Sequence, residues 1–456
     1  MINAPLSMQC LDKDCLYTYL RDCPATQGFV LAISGGLDSM VLLHLFSQNL
    51  SRLQNRIEAV YVDHGLQAVS RDWRDFCANK AQQLGIPFES FEIDSAPDRN
   101  DSIENWARTR RYQILTLRLK DNDILFTAHH LDDQVETFFL KAFRGTGTRG
   151  LAAMSSLRRI EAGYHARPLL PFSRKDLEAY ARDNNLEWIQ DPSNADNSYD
   201  RNYLRNEIMP LVESHWPAYR KTIARLIEHQ AETRDLLEEL AEGDLKSMLD
   251  DMGQGLDMEQ LKALSLARQK NVILQWARRQ QLATPNMTHL KKILSDVVNS
   301  AIDASPCVNW ADVECRRYRN RLYLNRTMTA HDPDAVLQWD ISHDLEINGE
   351  TLSAIATTGE GIATEHLHDK SVSIRFRQGG ERLCPAPGKQ TKTLKQIFQE
   401  NGILPWCRER IPLIYLDDDL AAVAGVCVAD QFAAGTEQAS ISLHWSGLQK
   451  IRQHHE

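Results

Sequence analysis

This sequence of 456 residues has no long apolar run, no closely paired cysteines and no excess of positive charge. Because a membrane-spanning helix needs about 20 consecutive apolar residues, the sequence predicts no membrane segment. None of the nine cysteines stands in a C-x-x-C spacing, which argues against a zinc ribbon or a redox pair. Their odd number and scattered positions, together with an N-terminal stretch interrupted by charges, predict a reduced, cytoplasmic protein without a secretory signal.

The balance of charge is acidic, because 52 lysines and arginines stand against 62 aspartates and glutamates, for a net charge of −10. A nucleic-acid partner would therefore have to meet a local basic patch. Otherwise the composition is that of a globular protein, with 43% hydrophobic and 25% charged residues. At roughly 150 residues per domain, the length favours about three domains.

Short apolar runs alternate with helical patterns in the first half of the chain, which is typical of parallel strands joined by crossover helices. The predicted strands are residues 29–33, 57–62, 88–93 and 124–128, and the predicted helices are residues 40–46, 73–84 and 103–119. The pattern predicts an α/β fold with a doubly wound parallel sheet, ending near residue 215.

The rest of the chain divides into two further regions. Residues 216–303 repeat apolar residues with a period near 3.6, so we predict a helical domain over 216–330, with a hairpin near its end at 313–324. Residues 331–456 mix strands with one clear helix, 393–400, and predict a smaller α+β domain. The three predicted domains are thus 1–215, 216–330 and 331–456.

The segment Ser34-Gly35-Gly36-Leu37-Asp38-Ser39 lies between the first predicted strand and the helix that follows it. Glycines let successive backbone N–H groups turn inward, serine hydroxyls add donors, and a helix N-terminus adds positive potential, so the segment predicts a phosphate-binding loop. It is not a Walker loop, since no Gly-Lys-Ser/Thr follows. Without a lysine, Mg²⁺ held by Asp38 and another carboxylate is the expected counter-charge. The alternative is a glycine turn in which Asp38 caps the helix.

A second candidate cluster, Asp132, Asp133 and Glu136, falls where the fourth predicted strand ends and a helix starts. In an open α/β sheet this edge binds ligands. Three carboxylates within about one helical turn suit Mg²⁺ or the ammonium group of an amine substrate. The alternative is that their negative charge only stabilises the helix N-terminus.

The segment from Gly145 to Gly150 matches the dinucleotide fingerprint G-x-G-x-x-G in form, but it follows a helical run instead of a strand. A Rossmann site is therefore not expected. The preferred interpretation is a loop that carries Arg144 and Arg149 toward a phosphodiester backbone.

The loop at Ser34 to Ser39 resembles the PP-loop of the N-type ATP pyrophosphatases, which split ATP into AMP and pyrophosphate. The motifs after it, taken in order, resemble those of the tRNA(Ile)-lysidine synthetase family. They are Val62-Asp63-His64-Gly65-Leu66, Arg111-Tyr112, the His129-His130-Leu131-Asp132-Asp133-Gln134 block, Arg167-Pro168-Leu169-Leu170-Pro171, Asp191-Pro192-Ser193-Asn194, Arg201-Asn202-Tyr203-Leu204-Arg205-Asn206 and, near the C-terminus, Lys395 to Trp406. The resemblance covers nearly the whole chain.

The resemblance implies ATP-dependent ligation of free lysine to carbon 2 of the wobble cytidine in the CAU-anticodon isoleucine tRNA. The product is lysidine, AMP and pyrophosphate are released, and the intermediate is an adenylated cytidine. ATP and Mg²⁺ are the expected cofactors, and tRNA(Ile) and lysine the expected partners. The oligomeric state is open, with a homodimer as one candidate.

The charges of several residues suit the steps of this implied reaction, and we assign them candidate roles on that ground. Ser34 to Ser39 would bind the phosphates, and Asp38 with Asp132 would hold Mg²⁺. Asp133 or Glu136 would bind the lysine ammonium and then accept its proton. Arg201 and Arg205 would clamp RNA phosphate or the substrate lysine, the alternative being a basic helix surface.

A basic patch near the C-terminus opposes the overall charge. Residues 374–412 contain eight basic and three acidic residues, a local net charge of +5. This sign favours a surface that contacts RNA phosphates. The basic residues are Arg375, Arg377, Arg382, Lys389, Lys392, Lys395, Arg408 and Arg410.

Two other functions compete with lysidine formation. One is thiolation by another PP-loop enzyme that modifies tRNA, which needs a reactive cysteine near the loop. Cys77 is the only cysteine between Cys23 and Cys307 and lies within a predicted helix, so thiolation is disfavoured. The other is a non-catalytic RNA-binding protein, against which the intact Asp38 and Asp132-Asp133 pair argues.

Overall fold

A computed structural model of the protein describes residues 10–63, 70–93, 103–160, 162–250, 253–300, 306–328, 331–368, 370–385 and 390–447, with residues 103–105 described by their backbone only. Among the residues named above, His64, Gly65, Leu66 and Lys389 lie outside these ranges. The chain divides into two compact units, Met1–Leu236 and Leu237–Glu456.

Helices and strands alternate through the first unit. Its helices are α1 (Lys13–Arg21), α2 (Leu37–Ser47), α3 (Ser70–Gln83), α4 (Ile103–Leu117), α5 (Leu131–Phe143), α6 (Thr148–Leu151), α7 (Arg174–Asp183), α8 (Asp200–Tyr203) and α9 (Met209–His215), and α10 (Tyr219–Met248) begins in this unit and ends in the second. Its strands are β1 (Gly28–Ile33), β2 (Arg56–Asp63), β3 (Phe88–Glu92), β4 (Asp123–Phe126), β5 (Leu157–Ile160) and β6 (Gly163–Ala166). A π-helical turn, Leu204–Ile208, joins α8 to α9.

These six strands form one sheet in the order β3-β2-β1-β4-β6-β5, in which every neighbouring pair is parallel except β5 with β6. The chain runs outward from β1 to β3 and then returns to the other side of β1 as β4. The C-terminal ends of β1 and β4 therefore border the topological switch point, where open α/β sheets bind ligands. The predicted doubly wound parallel sheet is confirmed.

The apolar run of β1 is continuous because both of its faces are covered. Phe29, Leu31 and Ile33 pack in one core cluster with α2, whereas Val30 packs in a second cluster with Val60 of β2. Strands of parallel sheets commonly show such runs instead of alternation. The short hairpin of β5 and β6 lacks this signal and was not predicted.

In the second unit, short helices are followed by many short strands. Its remaining helices are α11 (Met258–Ala263), α12 (Leu266–Arg279), α13 (Met287–Lys292), which continues as a π-helical turn (Ile293–Val298), and α14 (Leu394–Glu400). Its strands are β7 (Gly255–Asp257), β8 (Cys307–Trp310), β9 (Val313–Tyr318), β10 (Arg321–Arg326), β11 (Leu337–Gln338), β12 (Leu345–Ile347), β13 (Glu350–Thr358), β14 (Ile362–Ala363), β15 (Val372–Arg375), β16 (Arg382–Leu383), β17 (Lys392–Thr393), β18 (Leu413–Leu416), β19 (Asp419–Val423), β20 (Cys427–Val428) and β21 (Ala439–Trp445).

An antiparallel sheet in the order β7-β10-β9-β8 lies within the segment predicted to be helical. The predicted hairpin is confirmed as β9 and β10. Strands β7 and β8 were missed, because three or four residues are too few to interrupt the helical hydrophobic period. The segment 216–330 is therefore mixed in structure.

The C-terminal part confirms the predicted α+β character. Its larger sheets run β11-β15-β18-β19-β20 and β12-β13-β21-β14, and they share one core with α14. Thr393 caps α14 by accepting a hydrogen bond from Gln396 N, at the predicted helix start. Across the described ranges, no helix has the length and apolar character needed to cross a membrane. The division into three domains stays a prediction.

Candidate active site

The loop between β1 and α2 has the backbone of an anion-binding site. Gly36 is the extended N-cap residue of α2, and no side chain caps the helix there. The Ser39 hydroxyl donates to the Gly36 carbonyl oxygen over 2.9 Å and accepts from Ser34 N over 3.2 Å, so this one hydroxyl links the loop to the first turn of the helix. The positive end of α2 thus faces the switch point of the sheet.

Gly35 is required at its position by both conformation and space. Its φ is +82°, and an added Cβ would lie 2.7 Å from Ile189 Cδ1 and 3.2 Å from Cys77 Sγ. Gly36 has a φ of −72°, and its nearest neighbour to an added Cβ is Ser34 Oγ at 3.6 Å. Only the first glycine is therefore needed for the fold of the loop.

We expect Gly35→Ala to lower the free energy of unfolding by about 1–2 kcal/mol or more, because a left-handed Cβ-bearing residue is strained and Ile189 must also move. Thermal unfolding should show a drop of roughly 2–8 °C in Tm. Gly36→Ala is the matched control and should leave Tm nearly unchanged. Equal Tm values for the two variants would contradict this account of the loop.

At the end of β4, a buried histidine lies among three carboxylates. His130, only 1% exposed, has Nε2 at 3.6 Å from Asp38 Oδ2 and 3.5 Å from Asp133 Oδ2, and Nδ1 at 3.7 Å from Asp132 Oδ2. Burial opposes its protonation, but the negative charges of Asp133, Asp38 and Asp132 outweigh burial and raise the pKa of His130. The two predicted clusters therefore meet at His130.

Asp38 has an oxygen that nothing in the described chain satisfies. Its Oδ1 is buried without a hydrogen-bond partner, while Oδ2 lies 3.7 Å from Arg174 Nη1. A buried carboxylate oxygen without a donor is costly unless a ligand supplies positive charge. This orphan oxygen fits one ligand position of Mg²⁺, which is commonly held by one or two carboxylates together with substrate phosphates.

Asp132, the other predicted Mg²⁺ ligand, is already fully engaged. Its Oδ2 accepts from Arg174 N over 2.8 Å, and its Oδ1 accepts from Arg220 Nε over 2.6 Å. Burial opposes ionisation, but these donors lower the pKa of Asp132. Within the described residues, no group of three or more His, Cys, Asp or Glu side chains is arranged to hold a metal ion. The contacts therefore favour Asp38 over Asp132 as the Mg²⁺ ligand.

Glu136 is the centre of a buried ion-pair cluster. Its side chain is 3% exposed, and its carboxylate accepts from Arg201 Nε over 2.8 Å and from Arg205 Nε over 2.6 Å. Arg205 Nη2 adds a further bond of 2.8 Å to Oε2. The structure thus brings Glu136, Arg201 and Arg205 together and pairs them with one another, a contact that the sequence did not predict. A substrate ammonium would have to displace an arginine to reach Glu136.

Asp133 lies between this cluster and His130. Its Oδ1 is 3.3 Å from Arg205 Nη2 and 3.5 Å from Arg201 Nη2, and its Oδ2 accepts from His130 N over 3.0 Å. Burial raises its pKa, but His130 and then Arg201 outweigh burial and lower the pKa of Asp133 to about 2. Asp133 is therefore ionised at neutral pH and is a weak base.

A cavity of about 200 Å³ opens at the switch point. Its polar lining includes loop residues, Asp38 and Asp133, and its apolar lining includes Val60, Val62 and Leu115. Such a lining matches a nucleotide, with a base against the apolar residues and phosphates against the polar ones. The complete lining is Ala32, Ile33, Ser34, Gly36, Asp38, Ser39, Val60, Val62, Arg111, Leu115, Thr127, Ala128, His129 and Asp133.

Arg111 had no assigned role in the sequence, and the structure places it in this cavity. Its Nε is buried without a partner in the described part of the chain, and burial lowers the pKa of Arg111. A buried guanidinium facing a phosphate site supplies the positive charge that the loop itself lacks. The only sequence signal was its place in an Arg-Tyr motif, because nothing local indicates that α4 turns this residue toward β1.

The predicted RNA-contacting residues have mixed outcomes. Arg149 is exposed on α6, and Arg144 pairs with Asp200 at 3.6 Å. In the C-terminal patch, Arg408 is only 6% exposed, donates to the Ile403 carbonyl oxygen and lies 3.2 Å from Tyr318 Oη. Its predicted surface role is therefore wrong, since the guanidinium holds the core together. Lys395 is exposed, whereas Lys392 pairs with Glu400 at 2.7 Å.

Three family models match the chain in order. A PP-loop domain model matches residues 13–212, a TilS substrate binding domain model matches residues 256–323, and a TilS substrate C-terminal domain model matches residues 372–445. A tRNA(Ile)-lysidine synthase from Coxiella burnetii is 38% identical over 424 residues, which cover 93% of this chain and 94% of that relative. The chain belongs to the tRNA(Ile)-lysidine synthase family. Another member, from Methylococcus capsulatus, is 37% identical over 91% of this chain and 95% of its own length.

Likeness to solved structures is weaker. The U34-tRNA thiolase NcsA from Methanococcus maripaludis aligns with a TM-score of 0.41 and 18% identity, covering 48% of this chain and 78% of that chain. A TilS C-terminal domain aligns with a TM-score of 0.21 and 19% identity, covering 25% and 95%.

Proposed function

We propose that this chain joins lysine to carbon 2 of the wobble cytidine of tRNA(Ile) with a CAU anticodon, using ATP and releasing AMP and pyrophosphate. The orphan oxygen of Asp38 beside the phosphate loop carries the proposal, because a buried oxygen without a donor next to a helix N-terminus suits a cation that accompanies nucleotide phosphates. Membership of the tRNA(Ile)-lysidine synthase family supports the choice of substrate. Free lysine as the nucleophile follows from the same family.

In the first step, the carbon-2 oxygen of cytidine attacks the α-phosphate of ATP and pyrophosphate leaves. The N-terminus of α2 and the loop N–H groups would bind the phosphates and stabilise the charge on the leaving group. Arg111 adds a fixed positive charge in the same cavity. In the second step, the lysine ε-amine attacks carbon 2, the bond to oxygen breaks, and AMP leaves.

Asp38 would hold Mg²⁺ through its unpartnered Oδ1. The ion would supply positive charge that neutralises the phosphates. Asp132, which Arg220 and Arg174 occupy, is proposed instead to position α5 against α7.

Asp133 is our candidate for the lysine ammonium, because it lines the cavity and stays ionised. With a pKa of about 2 it attracts a cation strongly but accepts a proton poorly, so it suits binding better than deprotonation. Glu136 is assigned to holding Arg201 and Arg205 in place. The assignment of Asp133 to the lysine ammonium fails if Asp133→Asn leaves the KM for lysine unchanged.

The deciding experiment measures incorporation of radiolabelled lysine into an unmodified CAU-anticodon isoleucine tRNA transcript with ATP and Mg²⁺. Label should enter this transcript and not methionine tRNA, with one AMP released for each lysine incorporated. ATP cleavage that depends on tRNA but adds no label would keep the loop chemistry and exclude lysine as the nucleophile. No cleavage in a folded preparation would favour a binding protein.

Arg149, Lys395 and the rest of the exposed basic patch stay proposed RNA contacts, and a homodimer stays a prediction.

Thiolation by this chain is disfavoured by the surroundings of Cys77. The residue is buried against Gly35, and burial raises the pKa of its thiol to about 12, so the reactive thiolate is scarce at neutral pH. We expect Cys77→Ala to retain lysine incorporation within about threefold, since only a small buried sulfur is lost. Loss of activity with an unchanged Tm would instead indicate sulfur chemistry.

A further inference from the structure

Behind the cavity, four polar side chains form a buried hydrogen-bonded row. Arg167 Nη2 lies 3.0 Å from His165 Nδ1, His165 Nε2 lies 2.9 Å from Thr127 Oγ1, and Thr127 Oγ1 lies 2.8 Å from His129 Nδ1. Arg167, His165 and Thr127 are 4%, 0% and 6% exposed. The row ends at His129, which lines the cavity together with Ser34 and Asp38.

The direction of every bond in this row follows from its first member. A guanidinium can only donate, so His165 Nδ1 must accept. Burial, and then the charge of Arg167, push the pKa of His165 far below its usual value, so the ring is neutral and carries its single proton on Nε2. That proton is donated to Thr127 Oγ1, which leaves the threonine hydroxyl proton for the other imidazole.

The same reasoning determines the tautomer of His129. Burial lowers the pKa of His129 to about 3, so its ring is also neutral at pH 7. Because Nδ1 accepts from Thr127, the ring proton lies on Nε2. Nδ1 is occupied by the buried row, so Nε2–H is the ring donor left for a ligand in the cavity that His129 lines.

Burial of the Arg167 guanidinium is energetically unfavourable for the fold itself. Its Nη1 donates to the Ser155 carbonyl oxygen over 2.7 Å, its Nε has no partner among the described residues, and none of the neighbouring groups that act most on its charge is a carboxylate. Burial lowers its pKa to about 10, which still leaves it charged at neutral pH. A buried cation without a negative partner destabilises the fold. The presence of Arg167 is therefore best explained by its influence on the cavity that His129 lines.

We propose that Arg167, acting through His165 and Thr127, holds His129 as a neutral Nε2–H donor that hydrogen-bonds a phosphate oxygen of bound ATP. His129 is then a catalytic residue, and the other three are positioning residues. While the cytidine oxygen forms its bond to the α-phosphorus and the bond to pyrophosphate breaks, His129 keeps its proton and strengthens its hydrogen bond to the growing charge. The hydrogen bond from His129 to ATP rests on the proposed function, whereas the tautomer of His129 does not.

The tautomer can be read directly by nuclear magnetic resonance on the full chain labelled with ¹⁵N-histidine. His129→Gln identifies the His129 signals by their disappearance. We expect a protonated Nε2 and an unprotonated Nδ1 that persist from pH 8 to pH 5. A His129 that is protonated at pH 7, or that carries its proton on Nδ1, would overturn the proposal without any reference to activity.

The contact with nucleotide is tested by adding α,β-methylene ATP and Mg²⁺, which occupy the site without cleavage. The Nε2–H signal of His129 should shift on binding, and a bound nucleotide that leaves this signal unmoved would contradict the hydrogen bond. If the signal shifts but lysine is never incorporated, the proposed function fails and the donor role stands.

Thr127→Val and Thr127→Ser form the matched pair for the row. Valine keeps the shape but breaks the relay, so the His129 tautomer should become mixed and kcat for tRNA-dependent pyrophosphate release should fall roughly tenfold or more, with KM for ATP little changed. Serine keeps the hydroxyl, so Thr127→Ser should retain both the single tautomer of His129 and the kcat for pyrophosphate release. If valine lowers only Tm and leaves the tautomer and kcat unchanged, the row is merely structural.

Discussion

Asp38→Asn should reduce tRNA-dependent pyrophosphate release by about 10²–10³-fold, the loss typical of removing one electrostatic contact to a transition state. The physical reason is the buried Oδ1, which has no donor among the residues that the structure describes, so this carboxylate is available to a cation. Asparagine keeps the shape but not the charge. Release of labelled pyrophosphate from ATP, with tRNA present, measures the effect.

The same variant should not lose stability. Among the described residues, Asp38 has only long contacts with cations, 3.6 Å to His130 Nε2 and 3.7 Å to Arg174 Nη1, and it shares His130 with two other carboxylates, so the loss of its charge should cost little stability. Tm should stay equal or rise slightly, as is common when a functional charge is removed. Asp176→Asn is the control, because Asp176 is an exposed carboxylate that only caps α7 and should leave activity intact. Activity within threefold of wild type in Asp38→Asn would refute the assigned role.

Glu136→Gln should have the largest effect on stability. Removing this charge leaves Arg201 and Arg205, which it holds with bonds of 2.8 Å and 2.6 Å, as partly buried cations without their main partner. Breaking a buried ion pair from one side costs about 3–5 kcal/mol. For a unit of this size, that corresponds to a fall in Tm on the order of 10 °C, measurable by differential scanning calorimetry.

Glu187→Gln is the matched control for that measurement. Glu187 also pairs with a cation, Lys80 at 2.7 Å, but its side chain is 74% exposed. Exposed pairs contribute about 0–1 kcal/mol, so its Tm should change little. Similar Tm values in both variants would show that burial does not govern the Glu136 cluster. A higher KM for lysine in Glu136→Gln without any change in Tm would instead favour a direct contact with substrate.

Much of the secondary structure of the first unit was predictable because the sequence signals for it are local. The apolar runs of β1, β2 and β4, and the glycine-rich turn before α2, are each contained within a few neighbouring residues. The placement of Asp38 near Asp132 and Asp133 also followed, because both turns lie at C-terminal ends of parallel strands. Short strands without an apolar run, such as β5 and β7, gave no such signal.

The partners of charged residues were not predictable in the same way. Glu136 was expected to bind an ammonium, yet Arg201, 65 residues further along the chain, donates to it. Asp132 was expected to bind Mg²⁺, yet Arg220, 88 residues away, takes its Oδ1. Arg408 was expected at the surface, yet it is buried with Tyr318. A carboxylate has the same local sequence whether it binds substrate or an arginine.

The sequence by itself determined the parallel sheet, the phosphate loop and the family, because these depend on hydrophobic period and on short motifs that are read in order. Only the tertiary structure decided which charges are free to act. Asp38 keeps an unpartnered oxygen, Glu136 does not, and His129 presents a donor because Arg167 lies buried behind it. Those differences depend on distances between side chains far apart in the chain and on the water excluded around them, and burial makes each of them strong.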